Sequence, residues 1–142
     1  MWSKSPLTLD TNVAIYAFAD AGMKAEAART VIERADFISV QLLNEFANVV
    51  HRKQNRPWPE IRSALDRLRR AVPKILPLDE AAHLEATRLV ERYQIGFYDA
   101  LMLGVALSGG AHTFYSEDLQ HGMMIDETLR VVNPFVPGAV EQ

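Results

Sequence analysis

The strongest constraint on the fold of this chain is its alternation of short apolar runs with longer segments of helical spacing. Five apolar runs have the length of short strands, at 5–9, 37–39, 74–76, 112–115 and 130–132. The segments between them predict helices at 13–18, 23–35, 40–52, 58–71, 79–93 and 98–107. This order predicts an α/β fold, in which a mainly parallel sheet of about five strands lies between helices as a three-layer α/β/α sandwich.

The length of 142 residues predicts one domain over 1–142, with 137–142 as a loose tail. No segment approaches the roughly 20 apolar residues of a membrane span, and the N-terminus lacks the pattern of a secretory signal. We therefore expect no membrane association and a cytoplasmic location. The chain has no cysteine, so any metal must be bound by oxygen or imidazole ligands.

Four acidic residues occupy related places in this pattern. In open α/β sheets, ligands bind outside the carboxyl ends of the strands. Asp10 follows the first predicted strand, Asp118 follows the strand at 112–115, and Glu45 lies just over one turn into the helix after 37–39. Asp99 opens the most apolar helix of the chain, where a carboxylate is costly to desolvate. We expect all four side chains at one edge of the sheet.

Each acid also has a purely structural interpretation. Asp10, or Thr11 beside it, could cap the following helix, and Asp99 could cap its own. Glu45 could lie on a solvated face and Asp118 in a turn. Clustering of the four acids favours a functional interpretation over a structural one, because two carboxylates about 4 Å apart repel by roughly 4 kcal/mol at an effective dielectric constant near 20. A divalent cation removes this repulsion, and oxygen ligands favour Mg²⁺ or Mn²⁺, which suit phosphodiester hydrolysis.

The net charge of −3 hides an uneven distribution. Between His51 and Lys74, eight basic residues stand against two acids, a local charge of +6 that leaves −9 for the rest. Such a stretch could bind a polyanion such as RNA, or could simply be a solvated helix face. The candidate nucleic-acid contacts within it are Arg52, Lys53, Arg56, Arg67, Arg69 and Arg70.

Four segments together resemble a known family. The sequence LDTNVAIYAF at 9–18 resembles the first strand and helix of the PIN domain, especially of the VapC-like toxins. The segments NEF at 44–46, YDAL at 98–101 and YSEDLQHG at 115–122 resemble the parts of that family that carry its other acidic positions. Each segment alone is a weak signal, whereas the ordered set, which spans about 7–134, is a strong one.

This resemblance implies a PIN-type fold and metal-dependent RNA cleavage that leaves a 5′-phosphate. Asp10 and Asp99 would bind the metal directly, and Glu45 and Asp118 directly or through water. The resemblance also implies a homodimer, and a small antitoxin whose helix occupies an apolar groove and places a basic side chain in the acidic site. The residues expected to support the carboxylates are Thr11, Asn12 and Ser116, with Glu117 as a further acid.

Other functions are less consistent with the sequence. A haloacid-dehalogenase-like phosphatase needs a second aspartate where this chain has Asn12. No glycine-rich dinucleotide motif or P-loop is present, and the four histidines lack the spacing of a zinc site. Two alternatives stay open: a PIN nuclease that works in RNA processing or DNA cleavage outside a toxin pair, and a PIN-like module that only binds.

Overall fold

The structure, a computed structural model, describes residues 5–19 and 22–140. The strands within these residues are β1 (Leu7–Leu9), β2 (Ile38–Ser39), β3 (Ile75–Leu76), β4 (Thr113–Tyr115), β5 (Met124–Ile125) and β6 (Leu129–Val132). The helices are α1 (Thr11–Ala17), α2 (Met23–Arg34), α3 (Val40–Gln54), α4 (Trp58–Ala71), α5 (Glu80–Tyr93) and α6 (Phe97–Ser108). Every strand and helix predicted from the sequence is present, with ends that shift by one or two residues.

The central sheet has the order β1-β4-β6-β5, and its first three strands are parallel. The predicted fold class, α/β with a mainly parallel sheet, is confirmed. The strand count differs in detail, because β2 and β3 form a separate parallel pair instead of joining the main ladder. This pair is tied to β1 by the Asp36 amide, which donates to Leu7 O at 2.9 Å, and by Thr8 Oγ1, which donates to Phe37 O at 2.6 Å.

Strand β5 was not expected from the sequence. It has only two residues and pairs antiparallel with β6 across a tight hairpin. The connection is residues 126–128, and the Thr128 amide donates to Ile125 O at 3.0 Å. Asp126 and Glu127, at the centre of this turn, are both in the left-handed region, with φ of 50° and 62°, as a turn of the mirror-image type requires. Neither residue is glycine, and β5 is too short for apolar alternation, so no local pattern predicted the hairpin.

The core lies between the sheet and the helices and is centred on α6. Residues 100–106 of this helix are all buried, as its apolar composition predicts. Phe37, Phe46 and Phe114 are among the largest fully buried side chains around it. Because α6 is enclosed by the protein, its first turn is held at a fixed position relative to the ends of β1 and β4.

The other helices begin and end at recognisable signals. Ser39 caps α3 by accepting a hydrogen bond from the Leu42 amide at 3.0 Å, and Asp79 caps α5 by accepting from the Ala82 amide at 2.9 Å.

No helix in the described part of the chain has both the length and the apolar character to cross a membrane. Of the predicted loose tail, 141–142 lie outside the described residues, and the Ala139 amide donates to Val136 O within a turn.

We predict that Gly109→Ala destabilises the fold by about 1 to 3 kcal/mol because it overpacks the core. A methyl group at Gly109 would overlap the ring of Phe37 and lie 2.6 Å from Leu76 Cδ1. Gly109 is the C-cap of α6, and the matched control is Gly104→Ala within α6, where the nearest side-chain atom is Glu85 Cβ at 3.4 Å, an ordinary contact. Alanine favours a helix over glycine, so the control should be neutral or stabilising. Urea unfolding measures both, and equal stabilities of the two variants would contradict the packing argument.

Candidate active site

Asp10 is the most buried of the candidate acids, with 4% of its surface exposed. It follows β1, and its amide donates to Tyr115 O at 2.8 Å, which extends the parallel pairing with β4 by one residue. Its carboxylate caps α1: Oδ1 accepts from the Thr11 amide at 2.8 Å, and Oδ2 accepts from Ser116 Oγ at 2.9 Å. Of the two capping residues considered from the sequence, Asp10 is therefore the cap.

A negative charge on Asp10 is energetically unfavourable at this buried position. Burial raises the pKa of its carboxyl group from 3.8 to about 7, although the hydrogen bonds from Ser116 and Thr11 act in the opposite direction. The negative charges of Asp99 and Glu45 raise the pKa further. A carboxyl group with these surroundings is only partly ionised at neutral pH in the absence of a cation.

Glu45 lies on α3, and neighbours on both sides fix its carboxylate. Thr11 Oγ1 donates to Oε1 at 2.6 Å, and Gln41 Nε2 donates to Oε2 at 3.1 Å. Thr11 and Gln41 are themselves buried. Thr11 thus links two acids, since its amide binds Asp10 and its hydroxyl binds Glu45. The sequence did not identify Gln41, although its spacing of four residues from Glu45 on a helix is the available signal.

Asp99 lies in the first turn of α6 and is half-buried. The capping interpretation is wrong for this residue, because the cap of α6 is Gly96 and no side chain caps that helix end. Burial raises the pKa of Asp99, and the charges of Asp118 and then Glu45 raise it further. Asp99 therefore shares its electrostatic environment with all three of the other candidate acids.

The loop after β4 brings Asp118 to the same place. Ser116 is fully buried, and while its hydroxyl donates to Asp10, its oxygen accepts from the amides of Asp118 at 3.2 Å and Leu119 at 3.4 Å. Asn12 Oδ1 accepts from the Glu117 amide at 3.2 Å, so α1 also holds this loop. Asp118 itself is exposed. Asn12 and Ser116 thus contact the acidic loop, where the sequence placed supporting residues.

Glu117 differs from the four acids because cationic and hydroxyl groups surround it. Lys24 Nζ forms an ion pair with Oε2 at 2.6 Å, and Tyr16 OH donates to Oε1 at 2.9 Å. Partial burial acts to raise the pKa of Glu117, but the hydrogen bonds from Lys24 and Tyr16 outweigh it and lower the pKa overall. Its carboxylate therefore connects the loop to α1 and α2. Lys24 lies 93 residues before Glu117 in the sequence, and no local sequence pattern predicted this contact.

The four acids form an open site. Among residues 5–19 and 22–140, no three Asp, Glu or His side chains are arranged so that they could hold a metal ion by themselves. The donor chemistry nevertheless suits a hard divalent cation, since every candidate ligand is a carboxylate and Asp10 is buried with a raised pKa. Mg²⁺ in particular uses one or two carboxylates together with waters and substrate phosphates, and needs no protein cage.

The basic stretch occupies the end of α3, the following loop and α4. Two of its arginines pair with its own acids: Arg69 with Asp66 at 2.7 Å and Arg56 with Glu60 at 3.6 Å. Arg67 lies over the ring of Phe18, with 5.0 Å between the guanidinium carbon and the ring centroid. The six candidate nucleic-acid contacts, Arg52, Lys53, Arg56, Arg67, Arg69 and Arg70, are all exposed.

A groove lined by both apolar and polar side chains lies between α1, α3 and α4, with a volume of about 510 Å³. A second groove of about 290 Å³ lies along α1, α2 and α4. Phe18 lines both grooves. The other apolar side chains of the larger groove are Ile15, Ala19, Phe46, Val50, Ile61 and Ala64, and its polar or charged ones are Tyr16, Gln54, Arg56 and Glu60.

Comparison with known families and structures gives a consistent result. The sequence model of the PIN domain matches residues 7–122. Comparison with curated proteins finds no match. Among solved structures, a toxin–antitoxin complex from Klebsiella pneumoniae contains a chain that superposes with a TM-score of 0.67 at 20% identity, over 92% of this chain and 98% of that one.

Two further solved structures are similar. A chain of VapBC2 from Rickettsia felis, bound to a DNA fragment from its promoter, has a TM-score of 0.65 at 19% identity, over 88% of this chain and 96% of that one. VapC20 from Mycobacterium tuberculosis, a toxin that cleaves the sarcin–ricin loop, has a TM-score of 0.64 at 16% identity, over 79% and 89%. At these identities the similarity establishes a shared fold.

We predict that Asp10→Asn stabilises the metal-free protein at pH 8 by about 1 to 3 kcal/mol, because it removes a buried charge. The pKa of Asp10 is about 7 in the folded protein against an ordinary value of 3.8. As the pH rises, the unfolded chain loses this proton first, so the free energy of unfolding should fall from about pH 4 to pH 7 and then level off. Asp10→Asn should flatten this dependence.

Urea unfolding in EDTA at pH 5 and pH 8 checks this prediction. Asp66→Asn is the control, since its exposed carboxylate pairs with Arg69 and should change the stability by less than about 1 kcal/mol. A lower stability of Asp10→Asn than of the parent at pH 8 would show that the Asp10 carboxylate is satisfied without a cation.

Proposed function

Because this chain belongs to the PIN domain family, we propose that it is a metal-dependent endoribonuclease that acts as the toxin of a toxin–antitoxin pair. The observation that carries the proposal is the convergence of Asp10, Glu45, Asp99 and Asp118. They come from four separate elements and influence one another's ionisation at the carboxyl ends of β1 and β4. Purely structural acids have no reason to accumulate where their charges repel.

Asp10 and Asp99 would hold the metal directly, and Glu45 and Asp118 directly or through water. Mg²⁺ or Mn²⁺ bound there would activate a water for attack on the phosphodiester and stabilise the leaving oxygen. The chain's own contribution is orientation. Ser116 and Thr11 fix the carboxylate of Asp10, while Thr11 and Gln41 fix that of Glu45. These contacts leave little freedom for either side chain to rotate away from the cation.

RNA is the substrate we propose, and the basic stretch is the surface that would bind its backbone. The acidic site repels phosphates, so a separate source of positive charge is needed to hold a nucleic acid beside it. The exposed arginines of α4 provide such a source. The cleavage of an RNA loop by VapC20, a protein of the same fold, agrees with this choice of substrate.

We further propose that a small antitoxin and a second copy of this chain are partners. The similar chains from Klebsiella pneumoniae and Rickettsia felis come from toxin–antitoxin assemblies. The groove between α1, α3 and α4 combines apolar side chains with polar ones and has a volume of about 510 Å³. An amphipathic helix of an antitoxin would fit it, with its apolar face against Phe46 and Val50.

The purified protein should cleave RNA with Mg²⁺ or Mn²⁺ and lose this activity in EDTA. Asp99→Asn should reduce cleavage at least about 100-fold, because it removes one charge of the cation site. The matched control is Glu91→Gln, which removes a negative charge from the exposed face of α5 and should cleave like the parent. Absence of cleavage under every condition, together with no thermal shift on addition of metal, would favour a module that only binds.

Replacing Arg67, Arg69 and Arg70 with alanine should weaken RNA binding. It should also make the negative slope of log affinity against log salt less steep, by up to about 2. The control replaces the same three residues with lysine, which keeps the charge and should keep the slope. Affinity measured between 50 and 200 mM salt separates the two cases. If the alanine variant retains the parental slope, the basic stretch faces solvent or a protein partner instead of RNA.

A further inference from the structure

We infer that a polar pocket beside the candidate active site binds a nucleobase of the RNA, next to the bond that is cleaved; this inference rests on the proposed nuclease function. The pocket has a volume of about 380 Å³, within the range of small-ligand sites. It lies between α3 and the first turn of α6. Its lining residues are Gln41, Asn44, Glu45, Asn48 and Tyr98.

The wall on α3 carries the groups that distinguish bases. Asn44 and Asn48 are one helical turn apart and both exposed, so their amides face the same space. Within the described part of the chain, no protein group forms a hydrogen bond with either amide. Asparagine presents a donor and an acceptor together, which is the pattern that pairs with the edge of a base. Both amides are therefore available to a ligand.

The wall on α6 is an aromatic surface. The side chain of Tyr98 is 62% exposed, which is unusual for a large ring at the start of the most buried helix in the protein. Phe97 packs edge-to-face against it, with 5.5 Å between the ring centroids, and His83 in turn contacts Phe97 at 5.7 Å. Tyr98 is thus supported from behind and open in front, as a ring that stacks on a base must be.

The charge of the lining residues favours a neutral base over a phosphate in this pocket. Glu45 contributes a carboxylate to the lining, and none of the lining residues is cationic. A phosphate would be repelled, whereas a neutral base can use the amides and the ring. Two of the lining residues adjoin candidate metal ligands in the sequence: Asn44 precedes Glu45, and Tyr98 precedes Asp99. A base held here places its own phosphodiester at the acids, so the pocket should determine which nucleotide flanks the cleaved bond.

The test compares three variants in the Asp99→Asn background, which is expected to bind RNA without cutting it. Tyr98→Ala should weaken binding of a short single-stranded RNA about 5- to 100-fold, and Tyr98→Phe, which keeps the ring, should bind within about twofold of the parent. Leu84→Ala is the control, because it truncates an exposed apolar side chain of α5 outside the pocket and should not affect affinity. Fluorescence anisotropy with A-, C- and U-only RNAs gives the affinities.

A second arm maps the cleavage sites of the active protein and of Asn44→Ala and Asn48→Ala. We expect these variants to change the base preferred next to the cut. An unchanged preference, with equal RNA affinity of Tyr98→Ala and its parent, would overturn the pocket while leaving the nuclease proposal intact. If Tyr98→Ala dissociates a dimer and RNA binding and base preference stay as in the parent, the ring belongs to an interface and the inference fails. If the parent binds no RNA, both proposals fail.

Discussion

The hydrogen bond between Ser116 Oγ and Asp10 Oδ2 connects the two strand ends on which the candidate site depends. β1 and β4 are adjacent parallel strands, and the residues that follow them meet at this bond. The same serine oxygen accepts from the amides of Asp118 and Leu119, so one hydroxyl positions a buried carboxylate and the loop that carries another acid. Thr11 extends the network to Glu45. The site is therefore built on parallel pairing, with short side chains as the links.

This network places negative charge where the protein alone stabilises it poorly. Asp10 is buried and has a pKa of about 7, and Asp99 has a raised pKa for the same reason, burial, reinforced by its acidic neighbours. Glu117 is in the opposite situation, because Lys24 neutralises its charge and Tyr16 donates a hydrogen bond to its carboxylate. Two kinds of acid thus lie within a few residues of each other: one is paired with a cationic side chain, and the other lies among further carboxylates.

The surfaces around the site are chemically distinct, which suits several partners. The pocket at Tyr98 carries amide and carboxylate groups and one aromatic wall, the groove at Phe46 combines apolar side chains with charged ones, and the exposed face of α4 is basic. An RNA base, an antitoxin helix and an RNA backbone differ in just these properties. Since Arg56 lines the groove between α1, α3 and α4 and also belongs to the basic stretch, an antitoxin in that groove would compete with RNA for this residue.

The sequence by itself determined the order of the helices and of every strand except β5, and it singled out the four acids expected at the sheet edge. Both follow from local periodicity, and from the rule that parallel strands in an α/β fold present their carboxyl ends together. It could not determine that β2 and β3 form a separate pair, or that Asp126 and Glu127 close a hairpin, because hydrogen-bond registry across the sheet leaves no local pattern. Only the tertiary structure showed that Lys24 pairs with Glu117 across 93 residues. It also showed that Asp99 does not cap α6, and that a pocket lies beside Tyr98. These outcomes depend on where side chains from distant segments meet in space, and that is decided by packing rather than by spacing along the chain.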